Sequence, residues 1–125
     1  MSINQRKTPF RYFLKQPITS EVYIISINGS PAPDKPIQAE LCDISRSGCQ
    51  LSFPLRLNVD SNEIRIGLDT TLTEEPLYME GLLRWGAEKG NHWHYGVEFE
   101  VAEDQQERLF REMRKLAGQN RIIVK

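Results

Sequence analysis

Two short polar segments contain most of the residues in this chain whose types and spacing could bind a ligand. The first is Asp43-Ile44-Ser45-Arg46-Ser47-Gly48, which lies between two predicted strands. Its carboxylate accepts hydrogen bonds, for example from N1 and N2 of a guanine, its serine hydroxyl donates or accepts them, and its glycine permits close approach to the backbone. The same side chains could instead simply close a turn, since Asp and Ser commonly do so.

The second segment is basic and lies near the amino terminus, where Arg6 and Lys7 precede Arg11. Arginine binds phosphate with two parallel hydrogen bonds and stacks on purine faces, so this segment could hold an anionic ligand. A solvated basic tail is the alternative. Pro9 and Phe10 favour attachment to the domain, because proline stiffens the segment and phenylalanine supplies an apolar anchor.

Composition and charge restrict the class of protein. The 125 residues suit one domain, and the hydrophobic fraction of 39% with a charged fraction of 26% is typical of a globular chain. A net charge of -1 disfavours nonspecific binding to DNA or RNA. No apolar run is long enough for membrane insertion, and the amino terminus is polar, which predicts a cytoplasmic protein.

The cysteines and histidines do not form a recognisable catalytic or metal-binding pattern. Cys42 and Cys49 are predicted to be two reduced thiols on neighbouring strands, and with His92 and His94 they match no closed zinc site. The two histidines share a strand face with two glutamates, which could in principle bind metal or transfer protons. A solvated polar face fits better, because no nucleophile or phosphate loop accompanies them, so we predict neither an enzyme nor a metal site.

The hydrophobic pattern predicts mainly β structure followed by one helix. Apolar residues alternate with period two, and Trp85 and Trp93 fall on apolar strand faces where core packing is expected. After Val101 the period changes, which predicts a helix over residues 102–117 that buries Leu109, Phe110, Met113, Leu116 and Ala117. The predicted strands cover residues 11–16, 21–28, 37–43, 49–53, 62–68, 78–85 and 92–101. Residues 121–125 could add a short strand or trail free. Because closure removes exposed edges, we expect a small antiparallel barrel capped by the helix.

Taken together, the two polar segments resemble the PilZ domain, a bacterial receptor domain for the second messenger cyclic di-GMP. That family pairs an amino-terminal R-x-x-x-R with a downstream [D/N]-x-S-x-x-G, and Asp43, Ser45 and Gly48 complete the second motif. The first motif departs from the pattern, since Lys7 stands where an arginine is expected before Arg11. The late strand Tyr95-Gly96-Val97-Glu98-Phe99 also looks like its counterpart in the family.

The resemblance implies a fold and a domain organisation for the whole chain. It implies a single domain over residues 1–125, built on a six-stranded antiparallel β-barrel with a C-terminal α-helix. Residues 1–12 would form a basic arm that wraps the ligand, residues 12–101 the barrel and residues 102–117 the helix.

The implied function is a noncatalytic cyclic di-GMP sensor, of the kind that regulates motility or biofilm formation. Its arm would become ordered on binding and so alter the surface offered to an unknown protein target. The alternative is a PilZ-like adaptor that has lost nucleotide binding and acts only through protein contacts. We expect a monomer or homodimer with no cofactor beyond this ligand. The residues implied in ligand binding are Arg6, Lys7, Arg11, Asp43, Ser45 and Gly48.

Overall fold

A computed structural model describes residues 11–32 and 35–124, and their strands close into a barrel. The elements are β1 (Tyr12–Ile27), β2 (Ser30–Pro31), β3 (Pro36–Ile44), β4 (Gly48–Phe53), β5 (Ile64–Thr71), β6 (Pro76–Lys89), β7 (His92–Glu100), α1 (Glu103–Gly118) and β8 (Ile122–Val124). Six strands pair antiparallel in the order β1-β3-β4-β7-β6-β5, and β5 pairs back onto β1. The predicted six-stranded antiparallel barrel with a C-terminal helix is confirmed.

The first strand is longer than the sequence pattern indicated. Residues 11–16 and 21–28 were expected as separate strands around Pro17, whereas β1 runs through this proline without ending. The pairing of β1 with β3 is interrupted between Phe13 and Ile18, so Pro17, which lacks an N–H, breaks no ladder hydrogen bond. Strand β8 pairs with the start of β1, so the short-strand alternative for the carboxyl terminus is the one observed.

The barrel interior is filled by the inward-facing side chains of all six strands. The predicted alternation of β4 is confirmed, because Cys49, Leu51 and Phe53 all lie in the core. Phe53 stacks on Tyr95 of β7 with ring centroids 4.8 Å apart. The Tyr95 hydroxyl donates to the carbonyl of Leu55 (2.6 Å) and accepts from the amide of Leu57 (2.7 Å), which satisfies its polar end inside the core.

Helix α1 packs on the barrel through one apolar stripe, close to the predicted boundaries. Leu109, Met113 and Leu116 are buried as expected, but Ala117 is exposed. The stripe contains a buried carboxylate instead, because Glu112 lies between Leu109 and Leu116 on the same face. Among the described residues, no helix has both the length and the apolar character required to cross a membrane.

Glu112 fixes the helix to the connection between β5 and β6. Its Oε1 accepts hydrogen bonds from the Thr73 hydroxyl (2.6 Å) and from the amides of Thr73 (3.2 Å), Glu74 (3.1 Å) and Glu75 (3.4 Å). Lys115 Nζ lies 3.5 Å from Oε2. Burial alone raises the pKa of Glu112, but the hydrogen bonds from Thr73, Glu74 and Glu75 outweigh it and lower this pKa to about 2.

Candidate ligand-binding site

Ser45 holds the turn between β3 and β4. Its amide donates to the Gly48 carbonyl (2.8 Å), its hydroxyl donates to the same carbonyl (3.3 Å), and that hydroxyl accepts from the amide of Ser47 (3.2 Å). The residue is only 1% exposed. The structure therefore places the predicted site residue Ser45 in the turn beneath the surface, and its neighbour Ser47 lines the cavity described below.

A β-bulge just before this turn redirects Asp43. Leu41 pairs with Leu51 and Asp43 with Gln50, so Cys42 is an extra residue on β3. Regular alternation from Leu41 would have pointed Asp43 into the barrel. The extra residue instead gives the core position to Ile44, while Asp43 lines a cavity on the outer face of the barrel.

Arg11 meets Asp43 directly across this cavity. The Arg11 Nη1 donates to Asp43 Oδ1 at 2.6 Å, and the two side chains are 42% and 3% exposed. The carboxylate is thus covered largely by the barrel and the arginine, while much of the Arg11 side chain is exposed. Two residues that lie 32 positions apart in the sequence, one from each predicted motif, therefore meet at one cavity.

A second bulge brings Trp85 to the same face. Leu83 pairs with Val97 and Trp85 with Gly96, so Arg84 is an extra residue on β6. The prediction that Trp85 packs in the core is wrong, because the bulge turns its indole outward and leaves the residue 45% exposed. Trp93 does pack against the core, as predicted. The indole of Trp85 covers Gly96, where an added Cβ would lie 2.0 Å from its Nε1.

The cavity between these residues has a volume of about 440 Å³ and a mixed lining. Charged and amide side chains alternate with the indole and with backbone of β4 and β7. Gln50 Nε2 donates to His94 Nδ1 (2.6 Å), and the Arg84 Nε donates to Glu98 Oε1 (2.5 Å). Burial lowers the pKa of His94, and the neighbouring Lys89 and His92 lower it further. The lining residues are Arg11, Phe13, Asp43, Ser47, Gly48, Cys49, Gln50, Arg84, Trp85, Gly96, Val97 and Glu98.

Gly48 lies in this lining, and the structure shows a packing reason for it. A Cβ added at this position would lie 2.1 Å from the carbonyl oxygen of Val97 on the neighbouring strand. Strand β4 can approach β7 this closely only without a side chain at its first residue. Gly48 thus sets the depth of the cavity wall by letting two backbones meet.

The thiols next to the site are protonated and free. Cys42 and Cys49 lie on neighbouring strands, as predicted, and neither forms a disulfide. Burial raises the pKa of Cys49 well above its usual value, with a further contribution from the Asp43 carboxylate, and the same two causes raise the pKa of Cys42. Within residues 11–32 and 35–124, no group of three or more His, Cys, Asp or Glu side chains could hold a metal ion.

The structure brings three of the predicted site residues together at one cavity and adds further lining residues. Arg11, Asp43 and Gly48 line one cavity. Arg6 and Lys7 lie outside the described residues. Sequence reasoning missed the cavity-lining side chains Ser47, Gln50, Arg84, Trp85 and Glu98. The alternation of β4 does indicate that Gln50 faces outward. The exposure of Trp85, in contrast, depends on a bulge that the local sequence does not predict.

Comparisons with known proteins agree with this architecture. A family model described as the PilZ domain matches residues 5–115. Among solved structures, the inhibitor of motility from Bacillus subtilis (MotI/DgrA) superposes with a TM-score of 0.59 at 16% sequence identity. The match covers 95% of this chain and 55% of that one, so this chain spans about half the length of its structural neighbour. A search of curated proteins returns no match. The family model covers most of the sequence, and the chain belongs to the PilZ domain family.

Proposed function

We propose that this protein is a cytoplasmic, noncatalytic receptor for cyclic di-GMP, which binds in the cavity between Arg11, Asp43 and Trp85. The observation that carries the proposal is the direct contact of Arg11 with Asp43 at a cavity of about 440 Å³. One cation and one carboxylate beside the same concave surface match a ligand that combines phosphate groups with hydrogen-bond donors on its bases.

Arg11 and Asp43 would divide the recognition of this ligand. Asp43 holds one end of the guanidinium, which limits the positions that the Arg11 side chain can take and prepares it for phosphate or for stacking on guanine. A carboxylate has about four lone-pair sites, so Asp43 can keep this ion pair and still accept hydrogen bonds from guanine N1 and N2.

Trp85 would supply the apolar part of the site. Its indole rests on Gly96, is 45% exposed and lines the cavity, as a stacking platform for a base requires. Stacking of a base on an aromatic side chain contributes about 1–3 kcal/mol in other proteins. Gln50 adds an amide carbonyl on the same wall, while its amide nitrogen is occupied by His94.

Arg6 and Lys7 lead into Arg11, and in this proposal the basic arm of residues 1–12 orders over the bound ligand. The free energy of ordering would limit affinity, and the ordered arm would present a changed surface to a protein target. The structural neighbour is by its name an inhibitor of motility, and control of motility is the process that we propose for this chain as well.

A second candidate function is an adaptor of the same fold that acts only through protein contacts. The specific observation in its favour is Lys7, which keeps the positive charge of the family's arginine but lacks its planar fork. A protein target that binds equally well with and without cyclic di-GMP would distinguish the adaptor from the receptor.

Calorimetric titration of the full chain with cyclic di-GMP tests the proposal. We expect saturable binding that Arg11→Ala and Asp43→Ala each weaken at least tenfold, or about 1.4 kcal/mol. Trp85→Ala should weaken binding by roughly 5- to 150-fold, the change that corresponds to losing about 1–3 kcal/mol of stacking. Tyr78→Ala is the matched control, because Tyr78 is a comparably exposed aromatic residue of β6 that does not line this cavity.

Two results would overturn the receptor function. The first is an absence of heat at high micromolar cyclic di-GMP, which would leave the adaptor as the remaining candidate. The second is equal affinity for cyclic di-AMP, because a carboxylate that reads guanine N1 and N2 should discriminate against adenine.

A further inference from the structure

A second, smaller groove lies on the other side of the β3–β4 turn, beneath helix α1. It has a volume of about 290 Å³ and is lined by Tyr12, Arg46, Phe110, Met113 and Arg114. Tyr12 and Phe110 are half-buried and Met113 is buried, so the groove has an apolar floor, while both arginines are exposed at its rim. None of these five residues lines the cavity that contains Asp43.

Neither arginine at this rim forms an ion pair within the described part of the chain. The Arg46 guanidinium carbon lies over the ring of Phe110, 4.5 Å from its centroid, which keeps the charge beside the apolar floor of the groove. Among the described residues, no carboxylate lies within 4.0 Å of Arg46 or Arg114. Other arginines of the described chain do have carboxylate partners, namely Arg11, Arg65, Arg84 and Arg111.

We propose that this groove binds an acidic segment of a protein partner. An apolar or aromatic side chain of that segment would occupy the floor against Phe110 and Met113, and flanking carboxylates would pair with Arg46 and Arg114. The volume accommodates a side chain rather than a whole helix. The chain's own leader is a poor occupant, because Arg6 and Lys7 would be repelled by the two arginines.

The groove and the larger cavity are connected by two pairs of residues that are adjacent in the sequence. Arg11 lines the cavity and Tyr12 the groove, and in the turn Ser47 lines the cavity and Arg46 the groove. The Arg11–Tyr12 step and the β3–β4 turn are therefore the shortest connections through which ligand binding in one site could affect the other. Regulation of the groove by nucleotide rests on the proposed receptor function, whereas binding of the acidic segment does not.

Fluorescence anisotropy with a labelled Asp-Glu-Phe-Glu-Asp peptide tests the groove on the full chain. We expect saturable binding that Arg46→Glu and Arg114→Glu each weaken at least tenfold. Arg108→Glu is the matched control, since Arg108 is an exposed arginine of the same helix that lies outside the groove, and it should change affinity less than about twofold. Circular dichroism of each variant confirms that the barrel is retained.

Three outcomes would overturn the groove as an acidic-segment site. They are an equal loss of affinity in Arg108→Glu, equal binding of a Lys-Lys-Phe-Lys-Lys peptide, and tighter binding of a single-stranded oligothymidine, which would indicate a nucleic-acid surface instead. Repeating the titration with cyclic di-GMP separates the two proposals. If the nucleotide does not bind but the peptide does, the receptor function fails and the groove stands. If the nucleotide binds without changing peptide affinity, only the coupling fails.

Discussion

Two buried carboxylates, Asp43 and Glu112, are stabilised by different kinds of partner. Glu112 has no exposed surface, and its Oε1 accepts four hydrogen bonds from one connecting segment. Asp43 is nearly as buried, but within the described residues its ion pair is with Arg11, a half-exposed side chain at the edge of a cavity. Main-chain amides hold one oxygen of the first carboxylate, whereas the second is held by a side chain that solvent reaches.

The difference between their partners indicates which of the two buried carboxylates is the better candidate for binding a ligand. Burial alone does not distinguish the two side chains. The distinction lies in their partners, since main-chain amides of a fixed connection give Glu112 a structural role, whereas a solvent-facing arginine gives Asp43 a partner that can rearrange. We therefore expect substitutions of Glu112 to affect stability and substitutions of Asp43 to affect binding.

Replacing each carboxylate by its amide gives the largest expected contrast. Glu112→Gln should reduce the free energy of unfolding by about 3 kcal/mol at neutral pH, because it removes the charge that the hydrogen bonds from Thr73, Glu74 and Glu75 stabilise. Asp43→Asn should reduce it by less than about 1 kcal/mol, since its partner is half exposed. Urea unfolding measures both, and a larger loss for Asp43→Asn would reverse the comparison.

Acid should remove the same contribution of Glu112 gradually. The pKa of this side chain falls from 4.5 to about 2 on folding, so its stabilisation is complete above about pH 4.5 and is lost as the pH falls towards 2. Urea unfolding over this range should show the wild type converging on Glu112→Gln, by about 3 kcal/mol in total. A stability difference that stays constant with pH would show that the carboxylate charge is not what the hydrogen bonds stabilise.

A substitution at Gly48 tests whether the proposed binding region also contains structural residues. Gly48→Ala should destabilise the barrel by about 2 kcal/mol, because the new methyl group would overlap the Val97 carbonyl and force β4 and β7 apart. Gly118→Ala is the control, since no atom lies within 4 Å of a Cβ added there. Thermal unfolding of both variants measures the predicted difference in stability. Equal melting temperatures would mean that Gly48 is needed only to leave room for a ligand.

The sequence was sufficient for the parts of the molecule that depend on local periodicity. Alternation gave the inward face of β4, and the change to a helical period located α1 within one residue at each end. The strand alternation also placed Asp43 beside a turn. The same helical period contained the signal for Glu112, which stands three residues after Leu109 and four before Leu116, although a charged residue on an apolar stripe is easily assumed to face solvent.

What could not be predicted depends on pairing between distant strands. Trp85 continues the alternation of Met79, Gly81 and Leu83, so only the register with β7 reveals that it faces outward. The role of Gly48 is likewise set by Val97, which is 49 positions away in the sequence and adjacent in the sheet. Such contacts arise from the closure of the barrel and leave no trace in a window of neighbouring residues.

The two bulges have a consequence for how a site of this kind is gained or lost. Side chains along a strand alternate between its two faces, so one extra residue reverses the direction of everything after it unless a bulge absorbs that residue. Because bulges absorb Cys42 and Arg84, Asp43 and Trp85 keep the outward direction that pairing with β4 and β7 gives them. Deleting Cys42 or Arg84 would therefore straighten the strand and leave Asp43 and Trp85 facing outward, whereas an insertion that no bulge absorbs would turn them towards the apolar interior. Pairing across the sheet, rather than the count of residues along one strand, decides which way these strands present their chemistry.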